Sequence, residues 1–313
     1  MKPDKFNSIT HTNYWKYLEK SPYSNSFSSK IKKILKKIIN TLFLKNFDLS
    51  VVKKSSMHRK EQRSYSKNFD ILSIRNEQIA NYFLEFGSGF GINFDKIKLL
   101  KNIDRYDEIF RKTIIKDLNG GMGYNNGLFL YILICHFQPK KILESGVWKG
   151  YSTSLIDDAT SEESRIFCFD INLGFREYFS KKAFYYENEL SLVNDIDFRN
   201  IDFAFFDDHV SIYDRLKFCL NNKIEVIVVD DDVSLTQVHS DGWPSIPTAS
   251  MVFNYNKIPK KFSWIRNGIP AEADITGLKV DDICKFYRYI RFPQIAKYTG
   301  YQDTSFTSLL IKQ

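Results

Sequence analysis

Residues 142 to 152 read Ile-Leu-Glu-Ser-Gly-Val-Trp-Lys-Gly-Tyr-Ser, an apolar run that breaks at one glycine and resumes after a second. The pattern predicts a buried strand, a glycine loop and the start of a helix. Gly146 lets the backbone turn sharply and approach a ligand, and Gly150 lets the next helix pack close. The first amides of that helix aim partial positive charge at whatever the loop holds. Such a loop suits a nucleotide-type cofactor. Two further predicted strands, 201 to 207 and 225 to 231, also end in acidic clusters. Strand ends on one edge of a parallel sheet converge, so Glu144, Asp170, Asp207, Asp230 and Asp231 are expected to line one crevice.

The elements around this loop alternate regularly. We expect a turn at 119 to 123, a helix over 128 to 137, a strand over 141 to 144 and a helix over 152 to 158. A strand follows over 165 to 170, a helix over 175 to 182, a short strand over 184 to 186 and another over 203 to 206. A helix over 210 to 220 and a strand over 226 to 229 close the series. Strands separated by helices of this length require right-handed crossovers, which produce a parallel sheet covered on both faces. Segments 262 to 264 and 305 to 311 offer two more strands.

The chain's 313 residues suit one large domain with an appendage, and an apolar content of 43% supplies a substantial core. The net charge of +8 is unevenly placed, because residues 1 to 70 carry +11 and leave −3 for the rest. With its crevice acidic, the chain is not expected to act on nucleic acid. Cys135, Cys168, Cys219 and Cys284 stand singly among apolar neighbours without metal-ligand spacing, as reduced core thiols do. Residues 1 to 14 are polar, unlike a signal peptide, and no apolar run reaches the roughly 20 residues of a membrane span. The expected location is cytoplasmic.

The basic extension, 1 to 70, contains a predicted helix capped by Ser28 and Ser29. Ile31, Ile34, Leu35, Ile38, Ile39, Leu42 and Phe43 form one stripe, and Lys32, Lys33, Lys36 and Lys37 lie opposite. Segment 29 to 47 reads either as a peripheral contact with an anionic membrane or as a stripe that packs on the main domain or a second subunit of a homo-oligomer. A lysine- and serine-rich linker over 48 to 70 leads to accessory helices over 71 to 118. The main domain spans 119 to 313.

Over residues 119 to 233 the chain resembles the class I S-adenosylmethionine-dependent methyltransferases. Within them it is most similar to the metal-dependent O-methyltransferases related to the catechol and caffeoyl-CoA enzymes and to macrocin-type sugar methyltransferases. The motif that carries this is Glu144-x-Gly146-x-x-x-Gly150-Tyr151-Ser152, whose spacing differs from the Gly-x-Gly-x-x-Gly of dinucleotide folds. The resemblance implies a Rossmann-like, seven-stranded, mostly parallel α/β sheet with helices on both faces, an antiparallel final hairpin and, here, an N-terminal helical extension. It also implies that Glu144, Gly146, Gly150 and Ser152 hold the methionine end of S-adenosylmethionine and that Asp170 meets its ribose.

The same resemblance makes Asp207, Asp230 and Asp231 the ligands of a divalent cation. Three carboxylates suit a hard ion such as Mg²⁺ or Mn²⁺. Where catechol-type members carry a basic lysine, this chain has Val210, Ser211 and Ile212. His209, or Asp207 itself, is then the expected general base. The polar loop after the fifth strand offers His239, Asp241 and Trp243 for the acceptor, with Trp243 able to stack on a sugar ring. The expected function is metal-assisted O-methylation of a hydroxyl on a sugar or glycosylated small molecule. The rival expectations are a catalytically inert binding protein of the same fold at a membrane and a hydroxylase-like relative.

Overall fold

The computed structural model describes residues 69–115, 121–193, 196–240, 244–266, 269–302 and 306–313. The predicted basic helix falls outside them, as does the predicted linker up to residue 68, whereas Phe69 and Asp70 already belong to the first helix. In chain order the described elements are α1 (Phe69–Phe90), α2 (Lys96–Lys112), α3 (Tyr124–Phe137), β1 (Lys141–Ser145), α4 (Tyr151–Ala159), β2 (Arg165–Asp170), β3 (Ala183–Glu187), β4 (Phe203–Phe206), α5 (Ile212–Asn222), β5 (Val226–Val229), α6 (Ala249–Phe253), β6 (Lys261–Arg266), β7 (Ile269–Asp274), α7 (Asp281–Phe286), β8 (Tyr287–Arg291), α8 (Ala296–Thr299) and β9 (Ser308–Lys312). Among the described residues no helix is long and apolar enough to cross a membrane.

Seven strands form one sheet in the order β3-β2-β1-β4-β5-β9-β8. The pairs among β1 to β5 are all parallel, and β9 runs antiparallel to both of its neighbours. This is the Rossmann-like architecture the resemblance implies. The central strands are continuous apolar runs because both faces of the sheet are buried. Side chains alternate between two cores: Ile142, Phe203, Phe205, Val226 and Val228 face the core with α1 to α4, whereas Leu143, Ala204, Phe206, Ile227 and Val229 face the one with α5 to α7. Phe203, Phe205 and Phe206 are fully buried, each contributing roughly 1.5–3 kcal/mol. All four cysteines are free, with Cys168 and Cys219 buried.

Two expectations are corrected. Segment 175 to 182 is not a helix: a 3₁₀ turn at Leu173–Phe175 leads into irregular chain. The amides of Glu177 and Tyr178 bond the Lys149 carbonyl, and the Arg176 guanidinium lies over the Tyr185 ring, so contacts distant in sequence override the local pattern. Segment 262 to 264 does not join the main sheet. It belongs to β6, which pairs with β7 as a separate hairpin, and β8 takes its expected place beside β9.

A buried polar network ties α1 and α2 to α3 and α4. The hydroxyl of Tyr106 on α2 donates to the Tyr124 carbonyl at 2.7 Å and lies 3.1 Å from the hydroxyl of Tyr151, the first residue of α4. Tyr124 in turn donates to Asp107 at 2.5 Å, and Arg75 pairs with the same carboxylate.

Candidate functional site

The loop from β1 to α4 is built around two glycines in the left-handed region, Gly146 at φ +97° and Gly150 at φ +82°. A Cβ at Gly146 would stand 2.3 Å from the Asp207 carbonyl oxygen, so the loop and the end of β4 fit only with glycine there. Asp170, at the end of β2, locks the loop. Its Oδ2 accepts the Val147 amide at 2.9 Å and the Trp148 amide at 2.8 Å, and its Oδ1 accepts the Asn172 amide at 2.9 Å. These loop amides are therefore filled by the protein's own carboxylate instead of a phosphate. A loop so arranged fits a donor that lacks a pyrophosphate, as S-adenosylmethionine does.

Glu144 is fully buried beneath the loop. Ser152 donates to its Oε1 at 2.6 Å, Thr153 to its Oε2 at 2.7 Å and the Cys168 thiol to Oε2 at 3.2 Å. Burial raises its carboxyl above the usual range, against the pull of those donors. Glu144 and Ser152 are thus joined to each other, and Glu144 braces the start of α4. Trp148 is half-buried, with the Lys149 ammonium 4.6 Å from its ring centre.

The ends of β4 and β5 bring Asp207, His209 and Asp231 together, with one donor atom from each lying within 4.8 Å of the other two. Nε2 of His209 is 3.9 Å from Oδ1 of Asp207 and 3.7 Å from Oδ2 of Asp231. His209 and Asp231 both adopt φ of 54°, a left-handed conformation costing on the order of 1 kcal/mol for such residues. Burial, and then the carboxylates of Asp230, Asp231, Asp208 and Glu144, push Asp207 well above the usual carboxylate range. Such crowding of negative charge fits a cation, and two carboxylates with an imidazole can hold a divalent one.

Asp230 stands outside that group. It is buried, and its Oδ1 accepts Nδ2 of Asn126 at 2.9 Å and Oγ1 of Thr307 at 2.8 Å. Asp208 turns the other way, accepting from Ser145 at 2.5 Å and from Nε of the buried Arg215 at 2.8 Å. Asp232 is fully buried, with the Ser250 amide at 2.7 Å and the Tyr289 hydroxyl at 2.6 Å. Five neighbouring aspartates thus divide between two that face His209 and three that brace the strand ends. Asn126, Thr307 and Arg215 were not anticipated from sequence. Arg215 carried one signal, a charged residue on the apolar stripe of α5.

Of the acceptor-loop residues, His239 is exposed at the end of the 3₁₀ segment Leu235–Ser240, while Asp241 and Trp243 lie outside the described residues. The loop returns through Pro247, whose carbonyl accepts the Ile212 and Tyr213 amides and so anchors it to the start of α5. A cavity of about 350 Å³ between Pro139, Arg199, Asp202, Lys223 and Glu225 lies at the opposite, amino end of the strands.

No protein-family model matches the chain, and no curated protein matches it. Solved structures do. One is a putative O-methyltransferase from Klebsiella pneumoniae, at 13% identity and TM-score 0.37, covering 77% of this chain and 99% of that one. A second is TomG of Streptomyces achromogenes, an O-methyltransferase of tomaymycin synthesis in complex with SAM, at 16% identity and TM-score 0.38, covering 77% and 99%. A third is an O-methyltransferase from Bacillus cereus in complex with SAH, at 14% identity and TM-score 0.34, covering 73% and 96%.

Proposed function

We propose that this protein is an S-adenosylmethionine-dependent O-methyltransferase that uses a divalent cation to methylate a hydroxyl of a sugar or glycosylated small molecule. The observation that carries the reading is the contact of Gly146 with Asp207, which puts the glycine loop and the carboxylate group side by side at one strand-end edge. The donor brings an already activated methyl group, so the protein's task is to place an oxygen nucleophile in line with it and make that oxygen more anionic. A bound cation would supply the second effect by lowering the hydroxyl's pKa.

The chain's own residues supply the rest. Asp170 fixes the loop, Glu144 braces α4 through Ser152 and Thr153, and Asp207 with Asp231 would hold the cation. Asp207 would take the acceptor hydroxyl's proton. The loop that follows β5 leaves the same sheet edge and would grip the acceptor.

The test is formation of S-adenosylhomocysteine from S-adenosylmethionine with a panel of free sugars and glycosides, with Mg²⁺ or Mn²⁺ and with EDTA. The reading expects turnover with at least one hydroxylated acceptor, abolished by EDTA and by Asp231→Asn. Turnover that persists in EDTA would remove the cation from the mechanism.

A further inference from the structure

We propose that His209 is a ligand of the cation, not the base, and that the site therefore prefers a divalent ion that accepts imidazole nitrogen, such as Mn²⁺, to Mg²⁺. This rests on the metal-assisted reading above and narrows it to one side chain. Ligand atoms that share one ion at bonds of about 2.0–2.2 Å stand roughly 3 to 4.4 Å apart. The distances from Nε2 of His209 to Asp207 and Asp231, 3.9 and 3.7 Å, both fall in that window. They are also too long for hydrogen bonds between these groups. The imidazole nitrogen thus faces the gap between two carboxylates, where its lone pair would meet the ion before it met an acceptor's proton.

A second observation concerns the carboxylate that an all-oxygen site would use. The Oδ1 of Asp230 is held by Asn126 and Thr307 at 2.9 and 2.8 Å, inside the protein. Among the described residues, the three whose donor atoms converge are Asp207, His209 and Asp231. An imidazole beside two carboxylates suits Mn²⁺ and the later divalent ions, whereas Mg²⁺ favours oxygen ligands and retained water.

The experiment adds Mn²⁺ to the full-length protein and records electron spin echo envelope modulation, which detects nitrogen bonded to the ion. We expect a ¹⁴N coupling that changes to that of ¹⁵N when the wild-type protein is made with ¹⁵N-histidine. In His209→Asn, whose side chain tolerates the left-handed backbone, the coupling disappears. The preference for Mn²⁺ over Mg²⁺ then falls by about tenfold or more. Bound Mn²⁺ without nitrogen coupling in the wild type overturns the assignment and leaves the metal-assisted reading standing. Failure of both ions to bind the wild type overturns the two together.

Discussion

Gly146 and Asp207 are in backbone contact at the carboxyl ends of β1 and β4, close enough that any side chain at 146 would collide with the end of β4. The loop that would seat a methyl donor and the strand end that would hold a cation therefore cannot move independently. Methyl transfer needs that coupling, because the reacting oxygen and the methyl group must be held in line within a fraction of an ångström.

Replacing Gly146 by alanine tests the contact. The new Cβ would meet the Asp207 carbonyl and carbon at 2.3 and 2.4 Å on a backbone at φ +97°. Gly146→Ala is expected to lose about 2 kcal/mol or more of stability and to bind S-adenosylhomocysteine far more weakly. Urea unfolding and calorimetric titration measure the two effects.

Asp170 carries the loop through two amides on one oxygen. Asp170→Ala leaves both donors without their acceptor and is expected to cost about 3 kcal/mol, since hydrogen bonds to a charged group run at 1.5–3 kcal/mol. Asp170→Asn keeps an acceptor and should fall between alanine and wild type. Melting temperatures of the three proteins give the order.

The α2 contact gives a prediction away from the crevice. Tyr106→Phe removes the donor to the Tyr124 carbonyl and the partner of the Tyr151 hydroxyl, both buried. A loss of about 1–2 kcal/mol is expected by chemical denaturation, with the fold retained by circular dichroism.

Glu144 makes stability depend on pH in a definite direction. Burial raises its carboxyl in the folded protein, so the folded state keeps a proton that the unfolded chain releases near about pH 4.3. Its contribution is therefore intact below that pH and is lost as pH rises through the higher folded value. Glu144→Gln, which cannot ionise, should gain stability relative to wild type as pH increases. Paired melting curves from acid to neutral pH check the sign.

Much of the fold is legible in the sequence, because a sheet buried on both faces needs unbroken apolar runs such as Phe203–Phe206 and Val226–Val229. The 175 to 182 segment misleads because Phe175, Tyr178 and Phe179 have helical spacing, while the Lys149 carbonyl captures its amides. The site is legible as a set of strand-end acids but not in their directions. What turns Asp230 inward is Asn126, 104 residues earlier, and Thr307, 77 residues later. What turns Asp231 and His209 toward each other is a positive φ at both, which no local pattern announces.

The measurement that bears most directly on the shared crevice is calorimetric titration of the full-length protein with S-adenosylhomocysteine, run with and without Mn²⁺. The account predicts one ligand bound per chain, and a separate Mn²⁺ titration that Asp207→Ala abolishes. Absence of S-adenosylhomocysteine binding under both conditions would contradict it.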